Sequence, residues 1–392
     1  MSDAACHICG ERALQAVPGY WRLFRVTSDC RPWRQGGTLA VCGACGVAQK
    51  PLDDAWLRET TEIYASYALY PQAGGAEQAV FAGAFGMPEP RSRRLLDRVL
   101  AEVSLPDEGR LLDLGCGNGA LLRSFHSLRP RWRLEGAELN DRHRAAVESL
   151  PGVTRYHSCS PDTIPGRFDL VTLLHVLEHV GGPRKYLETL VDRIEPGGRL
   201  LVESPDASRN PFDLVIADHA THFTQASLVA LIEASGYSIE RSAGDWIPKE
   251  ASVLAVPCLG KVTSPRLEQP GSIADVERGL SWLESVRSHA ASYTTSTKIG
   301  VFGTSIAGSW LWAELRNGVG YFVDEDPQRV GRTYLGCPVL APHEVPTGGV
   351  VYVALTPTIA REVSARCARP DVTYVVPPDL TEPGDLPQHR AR

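Results

Sequence analysis

The stretch Leu112-Asp-Leu-Gly-Cys-Gly-Asn-Gly119 decides the fold of this chain. An apolar strand pattern around Asp113 passes directly into glycines at alternating positions, and a helical pattern begins at Ala120. Glycines permit a tight turn and let the backbone approach a bulky ligand closely. Because ligands of open α/β sheets lie beyond the carboxyl ends of the strands, this turn is the predicted ligand site.

Strand patterns and helical patterns alternate on both sides of this turn. Further apolar runs lie at 134–138, 168–174 and 199–203, with helical patterns between them. This alternation is typical of a mostly parallel sheet covered by helices, so the predicted fold class is α/β. Glu138 ends the second strand pattern, where its carboxylate could accept both hydrogen bonds from a ribose diol. An NAD-binding domain is the competing interpretation, but its third glycine usually falls inside the helix, where this chain has Ala120.

Four elements in order resemble the class I S-adenosylmethionine (SAM) dependent methyltransferases over about residues 109–205. They are the glycine turn, Glu138, the segment His175-Val-Leu-Glu-His179, and a Pro-Gly-Gly turn at 196–198. The resemblance implies a Rossmann-like core that binds SAM, with Glu138 on the ribose and the glycine turn around the methionine end. The cofactor-binding residues it implies are Asp113, Gly115, Cys116, Gly117, Asn118, Glu138, Leu139 and His175.

Two cysteine pairs near the N-terminus predict a metal site. Cys6-His-Ile-Cys9 and Cys42-Gly-Ala-Cys45 each place two thiols two residues apart, and a glycine follows each second cysteine. Four thiolates match tetrahedral Zn²⁺, and nothing in the pattern requires an open coordination position. We therefore expect a structural zinc ion held by Cys6, Cys9, Cys42 and Cys45.

The segment Asp218-His-Ala-Thr-His222 concentrates two histidines and an aspartate within five residues, just after the strand pattern at 199–203. Histidine suits proton removal near neutral pH, and Asp218 could orient an imidazole or tune its pKa. The competing interpretation is a helix start, because Thr224 with Ser227 forms an N-terminal capping signal. The segment is a candidate catalytic element, with His219, His222 and Asp218 as its members.

The whole arrangement resembles the bacterial three-domain sugar C-methyltransferases. The resemblance implies a zinc-binding domain over 1–85, a methyltransferase domain over 86–245 and a C-terminal Rossmann-like, substrate-binding α/β domain over 246–392. It also implies a nucleotide-linked sugar as the substrate. By this resemblance His219 is the general base, while His179 and Tyr67 are further catalytic residues.

Three positions depart from that family's pattern and leave the methylated atom open. The family tends to have tyrosine where Ile216 stands, glutamate where Asp218 stands and asparagine where His175 stands. Either a sugar carbon or a hydroxyl oxygen is therefore a candidate acceptor.

The composition limits the remaining alternatives. The chain has 392 residues, 43% of them hydrophobic, and a formal charge of −6. With neither a long apolar run nor a signal-peptide pattern, we expect a cytoplasmic protein, monomeric and without membrane contact. Nucleic acid is a disfavoured partner because phosphate binding usually needs a basic face. The alternatives left open are a zinc-containing RNA methyltransferase using the arginines near 91–98, a methyltransferase for another small-molecule or natural-product acceptor, and a scaffold with a vestigial SAM site.

A second, weaker nucleotide signal lies in the C-terminal third. Gly300 and Gly303 open a helical pattern, and Asp324 ends the next strand pattern. The favoured interpretation is a Rossmann-like domain that has lost its dinucleotide. The polar, proline-containing last dozen residues are expected to fray.

Overall fold

The computed structural model describes residues 4–68, 71–73, 75, 77, 79–81, 88–258, 271–294 and 297–380. The polar C-terminal tail from 381 onwards and the expected domain boundary at 85/86 lie outside these residues. The structure contains a small N-terminal sheet, a large central sheet and a C-terminal sheet.

The N-terminal region consists of short strands followed by one helix. Helix α1 starts where the Asp53 side chain accepts a hydrogen bond from the Trp56 amide at 2.9 Å, which satisfies a free helix donor. The elements are β1 (Leu14–Ala16), β2 (Arg25–Val26), β3 (Pro32–Trp33), β4 (Ala40–Cys42), β5 (Ala48–Gln49), α1 (Asp54–Ala65), β6 (Ala79–Phe81) and β7 (Pro88–Pro90).

The central region alternates strands with helices, as the sequence predicts. Its first strand is buried from Leu111 to Leu114, the continuous burial typical of a central parallel strand. The elements are α2 (Arg91–Glu102), β8 (Arg110–Leu114), α3 (Ala120–Leu128), β9 (Arg133–Ala137), α4 (Arg144–Glu148), β10 (Val153–His157), β11 (Phe168–Leu174), α5 (Pro183–Leu190), β12 (Ile194–Pro205), β13 (Thr221–His222), α6 (Gln225–Ala234), β14 (Tyr237–Ala243) and β15 (Glu250–Pro257).

Seven of these strands form one sheet in the order β10-β9-β8-β11-β12-β15-β14. Neighbouring strands from β10 to β12 are parallel, whereas β15 runs antiparallel to both β12 and β14. A dinucleotide-binding sheet has the order 3-2-1-4-5-6. Here an antiparallel strand lies between the fifth and sixth strands, so the topology differs from that of the NAD-binding alternative.

The strand order reverses between β8 and β11, which places the ligand crevice beside the glycine turn.

Two expectations about this sheet need correction. The expected domain boundary at 245/246 falls between two paired strands, because β15 extends the central sheet to Pro257, a stretch expected to be irregular. The Pro-Gly-Gly element at 196–198 lies within β12 and not before it. The pairing of β12 with β11 shifts register there, so the glycines form a bulge in a continuous strand.

The C-terminal region is a second α/β unit with strand order β18-β19-β17-β16-β20-β21. Its core strands are parallel, and only β18 pairs antiparallel. This is a Rossmann-like arrangement. The elements are α7 (Ile273–Ala291), β16 (Ile299–Phe302), α8 (Ile306–Leu315), β17 (Val319–Val323), β18 (Thr333–Tyr334), β19 (Cys337–Leu340), β20 (Val350–Tyr352), α9 (Pro357–Arg366) and β21 (Thr373–Val375).

The short strand β13 joins the first two regions. It follows β12 in the chain but pairs antiparallel with β5, and so completes the N-terminal sheet β1-β4-β5-β13. The segment that carries His219 and His222 is therefore held by the N-terminal domain. No helix in the described parts of the chain is both long enough and apolar enough to cross a membrane.

Candidate active site and metal centre

The glycine turn after β8 has the conformation that its sequence predicts. Gly115, Gly117 and Gly119 have φ values of 72°, 51° and 79°, in the left-handed region that favours glycine. A Cβ on Gly115 would lie 2.3 Å from the Val176 side chain. The Gly115 amide donates to the Ala137 carbonyl at 2.8 Å, which ties the turn to the end of β9.

Glu138 lies directly beside this turn. Its Oε1 accepts a hydrogen bond from the Gly117 amide at 2.9 Å, and its Oε2 accepts one from the Leu139 amide at 3.2 Å. Each oxygen keeps a further lone pair, so a ribose diol can still donate to this carboxylate. The Leu139 side chain is 91% exposed and available to cover a flat ligand. Asn118 Nδ2 donates to the Gly75 carbonyl at 2.6 Å, which fastens the turn to the segment before α2.

Cys116 and His175 lie where expected, but their environments refine the predicted roles. The Cys116 side chain packs in the hydrophobic core, so its contribution to a ligand site is limited to its backbone in the turn. His175 follows β11 with a φ of 54°, an unusual value for a residue other than glycine. Its ring lies among carboxylates, 3.2 Å from Glu178 and 3.7 Å from both Glu203 and Glu250. Arg91 also pairs with Glu203 and Glu250, at 2.8 and 3.2 Å, so the His175 ring lies in a network of both charges.

Asp113 is the last residue but one of β8 and has a buried carboxyl group. Its Oδ1 accepts a hydrogen bond from Thr172 Oγ1 at 2.7 Å. Burial raises the pKa of Asp113 to about 7; the hydrogen bond from Thr172 opposes this shift, and the carboxylate of Glu138 adds to it.

We expect SAM affinity to rise with pH through about 7. The sulfonium and ammonium groups of SAM favour the ionised form of Asp113, so a proton on this carboxyl competes with binding. If only the ionised form binds, the dissociation constant at pH 6 is about tenfold larger than at pH 8. Calorimetric titration of SAM across this range measures it, and Asp113→Asn is the control that abolishes the dependence. A flat wild-type profile would contradict this role for Asp113.

The candidate catalytic segment is organised by a carboxylate that the sequence analysis did not single out. Asp213 lies in the short 3₁₀ helix Pro211–Val215 and is buried. Its Oδ1 lies 2.8 Å from His219 Nδ1, and its Oδ2 lies 2.7 Å from His222 Nδ1. One carboxylate therefore orients both imidazoles through Nδ1. This leaves Nε2 of His219 as the nitrogen that can take a proton from an acceptor.

Electrostatics separate the two histidines. Burial alone would lower the pKa of His219, but the Asp213 carboxylate reverses the effect, and the pKa is raised. Burial lowers the pKa of His222 to about 4, although Asp213 opposes the shift. His219 is thus the more basic imidazole, which favours it over His222 as the proton acceptor.

Asp218 makes its hydrogen bonds to Ser28 and not to His219, and its charge helps to raise the pKa of His219. Its Oδ1 accepts a hydrogen bond from the Ser28 amide at 2.8 Å, and its Oδ2 accepts one from Ser28 Oγ at 2.5 Å. The chain turns between Asp218 and His219, so the aspartate faces the loop between β2 and β3. Asp218 Oδ2 lies 3.7 Å from Nδ1 of His179.

His179 lies against His219 with the ring centroids 4.7 Å apart and the rings nearly perpendicular. Tyr64 reaches His179 directly, since its hydroxyl lies 3.0 Å from Nδ1. Tyr67 is one step further away: its ring centroid is 5.6 Å from that of Tyr64, and its hydroxyl lies 3.4 Å from Ser28 Oγ. The structure therefore brings the predicted histidines together and adds Tyr64 to them.

The N-terminal domain holds the catalytic segment by backbone contacts along its length. The Ala217 amide donates to the Val26 carbonyl, and the Lys50 amide donates to the Ala220 carbonyl, each at 2.8 Å. His7, within the first cysteine pair, contacts Thr221 Oγ1 through Nδ1 at 2.7 Å. The position of His219 therefore depends on the folded state of this domain. Ile216, where the resembling family has tyrosine, is buried in the hydrophobic core.

The four predicted metal ligands form one cluster. Their sulfur atoms all lie within 4.8 Å of one another, with Cys6 to Cys45 at 3.4 Å and Cys9 to Cys42 at 3.6 Å. A tetrahedron with Zn–S bonds of about 2.3 Å has sulfur–sulfur edges of about 3.8 Å. A disulfide would need about 2.05 Å. The arrangement therefore fits a tetrahedral Zn²⁺ ion, and Gly10 and Gly46 follow the knuckles with positive φ values.

The C-terminal sheet resembles a dinucleotide site whose carboxylate is already engaged. Asp324 Oδ2 accepts hydrogen bonds from the Thr304 amide at 3.2 Å and from Thr304 Oγ1 at 2.9 Å, and Arg329 lies 3.4 Å away. In a dinucleotide site this carboxylate would bind a ribose. The expected loss of dinucleotide binding stays a prediction.

Comparison with known proteins agrees with the class of site built above. Residues 89–242 match the family model described as a methyltransferase domain. The match begins just before α2 and ends within β14, so it covers the glycine turn, Glu138 and the catalytic segment. This part of the chain therefore matches a methyltransferase domain, the kind of domain that the site predicts.

Curated relatives match part of this chain. The mitochondrial ubiquinone biosynthesis O-methyltransferase of Schizosaccharomyces pombe is 33% identical over 102 residues, which cover 24% of this chain and 37% of that protein. The trans-aconitate 2-methyltransferase of Rhodopseudomonas palustris is 31% identical over 138 residues, which cover 34% of this chain and 52% of that protein. The chain thus spans between a third and just over half of these relatives' length.

Among solved structures, human N-acetylserotonin methyltransferase in complex with SAM is 20% identical, with a TM-score of 0.37. The alignment covers 43% of this chain and 52% of that one.

Proposed function

We propose that this protein transfers a methyl group from SAM to a nucleotide-linked sugar, with His219 as the general base. The observation that carries the proposal is the Asp213–His219 pair, buried just beyond the carboxyl end of β12. The glycine turn lies beyond β8, and only β11 separates these two strands in the sheet. An acceptor bound at this edge can contact the base and the methyl donor together.

The chain's own residues perform the proton chemistry. Nε2 of His219 takes a proton from the acceptor while Asp213, on Nδ1, fixes the ring and stabilises the positive charge that forms. SAM supplies a methyl group already made electrophilic by its sulfonium. The acceptor's electron pair forms the new bond to the methyl carbon, and the sulfur–carbon bond breaks to leave S-adenosylhomocysteine. Positioning is therefore the enzyme's main contribution.

The contacts of the C-terminal domain support an extended acceptor such as a nucleotide-linked sugar. The Tyr334 hydroxyl donates to the Cys30 carbonyl at 2.7 Å, in the loop whose Ser28 binds Asp218. The C-terminal sheet therefore contacts the loop between β2 and β3, and the same loop contacts the catalytic segment. If the sugar lies at His219 and its nucleotide extends towards the C-terminal sheet, the substrate lies close to all three regions of the chain. We further propose that Zn²⁺ on the four cysteines stabilises the N-terminal domain.

A hydroxylated natural-product acceptor is the second candidate, since the relatives include ubiquinone biosynthesis O-methyltransferases. The RNA alternative loses support because its basic cluster is engaged internally. Arg91 pairs with Glu203 and Glu250, and Arg93 pairs with Asp97.

A SAM-consumption screen tests the acceptor class. We expect turnover with at least one nucleotide-linked deoxysugar, and far less with the same sugar lacking its nucleotide. Binding of the nucleotide, away from the reacting atom, helps to position that atom. NMR of the product, made with ¹³C-methyl SAM, then shows whether carbon or oxygen carries the label. Turnover of small phenolic acceptors with no activity on any nucleotide-linked sugar would favour the second candidate.

A further inference from the structure

A second cluster of metal-binding side chains lies within the catalytic edge. Glu178 and His179 belong to a 3₁₀ turn just after β11, and His219 comes from the segment after β12. One ligand atom from each of the three lies within 4.8 Å of the other two. Glu178 and His219 are buried, and His179 is partly buried. Two imidazoles and one carboxylate form a donor set that suits divalent transition metals.

The hydrogen bonds at Nδ1 of His179 and His219 are of the kind that metal-binding histidines make. His219 has Nδ1 on the Asp213 carboxylate at 2.8 Å, and His179 has Nδ1 on the backbone carbonyl of Asp218 at 3.1 Å. Histidines that bind a metal usually donate their other ring N–H to a carboxylate or a carbonyl, which fixes the ring. Both rings therefore have Nε2 left for a cation.

Glu178 provides an independent indication. Its residue is 1% exposed, and Ser204 Oγ donates to its Oε2 at 3.2 Å. Its Oε1 lies 3.2 Å from Nδ1 of His175 but makes no well-aligned hydrogen bond to the described residues. The His175 contact offsets part of the cost of burying this charge, and a bound cation would supply a further contact to Oε1.

A neighbouring set, Asp213, His219 and His222, also places its atoms within 4.8 Å. There, however, each Asp213 oxygen is already bonded to one Nδ1 atom, at 2.8 and 2.7 Å. We therefore interpret Asp213 as the residue that orients the two imidazoles, and we do not assign a metal site to this set.

We infer that Glu178, His179 and His219 bind one divalent transition-metal ion, such as Zn²⁺, and that this ion inhibits methyl transfer. Asp213 occupies Nδ1 of His219, so the metal must use Nε2, which is the nitrogen that takes the acceptor's proton. Metal binding and proton removal therefore exclude each other. The metal site stands on geometry alone, whereas the inhibition rests on the proposed function.

Cobalt binding to the full chain that holds one zinc ion, on the four cysteines, tests the site. We expect one added Co²⁺ per chain, with visible absorption but without the charge-transfer band that thiolates give. Glu178→Gln and His179→Gln should each weaken this binding by at least about tenfold, since each removes a ligand. Glu233→Gln, at an exposed carboxylate, is the matched control and should bind as the wild type does. Retention of the thiolate-bound zinc shows that each variant is folded.

The outcomes separate the parts of the inference. No added Co²⁺ in the wild type, or equal binding in Glu178→Gln and His179→Gln, would overturn the metal site. With an active acceptor, added Zn²⁺ should reduce turnover in parallel with occupancy; full turnover at full occupancy would overturn the inhibition. If no acceptor is turned over, the proposed function fails, while the cobalt titration still decides whether the metal site exists.

Discussion

Replacing His219 with glutamine is expected to lower turnover about 10²- to 10⁴-fold, the usual contribution of a general base. Glutamine keeps a polar side chain next to Asp213 but cannot take the acceptor's proton at neutral pH. SAM affinity should be unchanged, because the cofactor contacts come from the turn after β8 and from Glu138. Steady-state turnover and calorimetric SAM titration on the same preparations measure the two effects.

Two further variants make this result specific. Asp213→Asn should lower turnover with little change in the acceptor's KM, since it removes the carboxylate that orients His219 and leaves the acceptor's own contacts in place. His343→Gln, an exposed histidine of the C-terminal region, should behave as the wild type. Wild-type turnover in His219→Gln would remove this residue from its proposed role.

Replacing Cys42 with serine is expected to abolish both zinc binding and methyl transfer. Cys42 ends β4, whose neighbour β5 pairs with β13. Loss of the metal therefore loosens the sheet that holds the segment with His219, although Cys42 itself is remote in sequence from the methyltransferase domain. Elemental analysis should show that the thiolate-bound zinc is lost, and the thermal unfolding midpoint should fall.

Cys258→Ser is the matched control, because Cys258 is an exposed cysteine just after β15. It should keep its zinc, its unfolding midpoint and its activity. If Cys42→Ser lost its zinc but kept full turnover, the N-terminal sheet would not be needed to position the catalytic segment.

Much of the central sheet could be predicted from sequence because its strands are buried runs of apolar residues. The patterns at 110–114 and 168–174 coincide with β8 and β11. Strand β15 was missed because proline and glycine from Pro257 onwards suggested an irregular stretch. Its pairing with β12 and β14 is a tertiary property that local pattern does not encode.

The site shows the same division between local and tertiary information. The glycine turn, Glu138 and the cysteine pairs could be identified because their spacing along the chain reflects the chemistry directly. Asp213 could not be distinguished from other acidic residues, since its role depends on a 3₁₀ turn that brings it back onto His219 and His222. Ser28 contacts Asp218 across 190 positions of sequence, so no local pattern indicates it. The sequence shows only that an acidic residue lies six positions before His219.

Calorimetric titration of the wild-type protein at pH 8 with SAM, and separately with NAD⁺, tests the central claim most directly. The glycine turn, Glu138 and the antiparallel strand β15 predict one SAM bound per chain and no measurable binding of NAD⁺. Binding of NAD⁺ without binding of SAM would contradict the account.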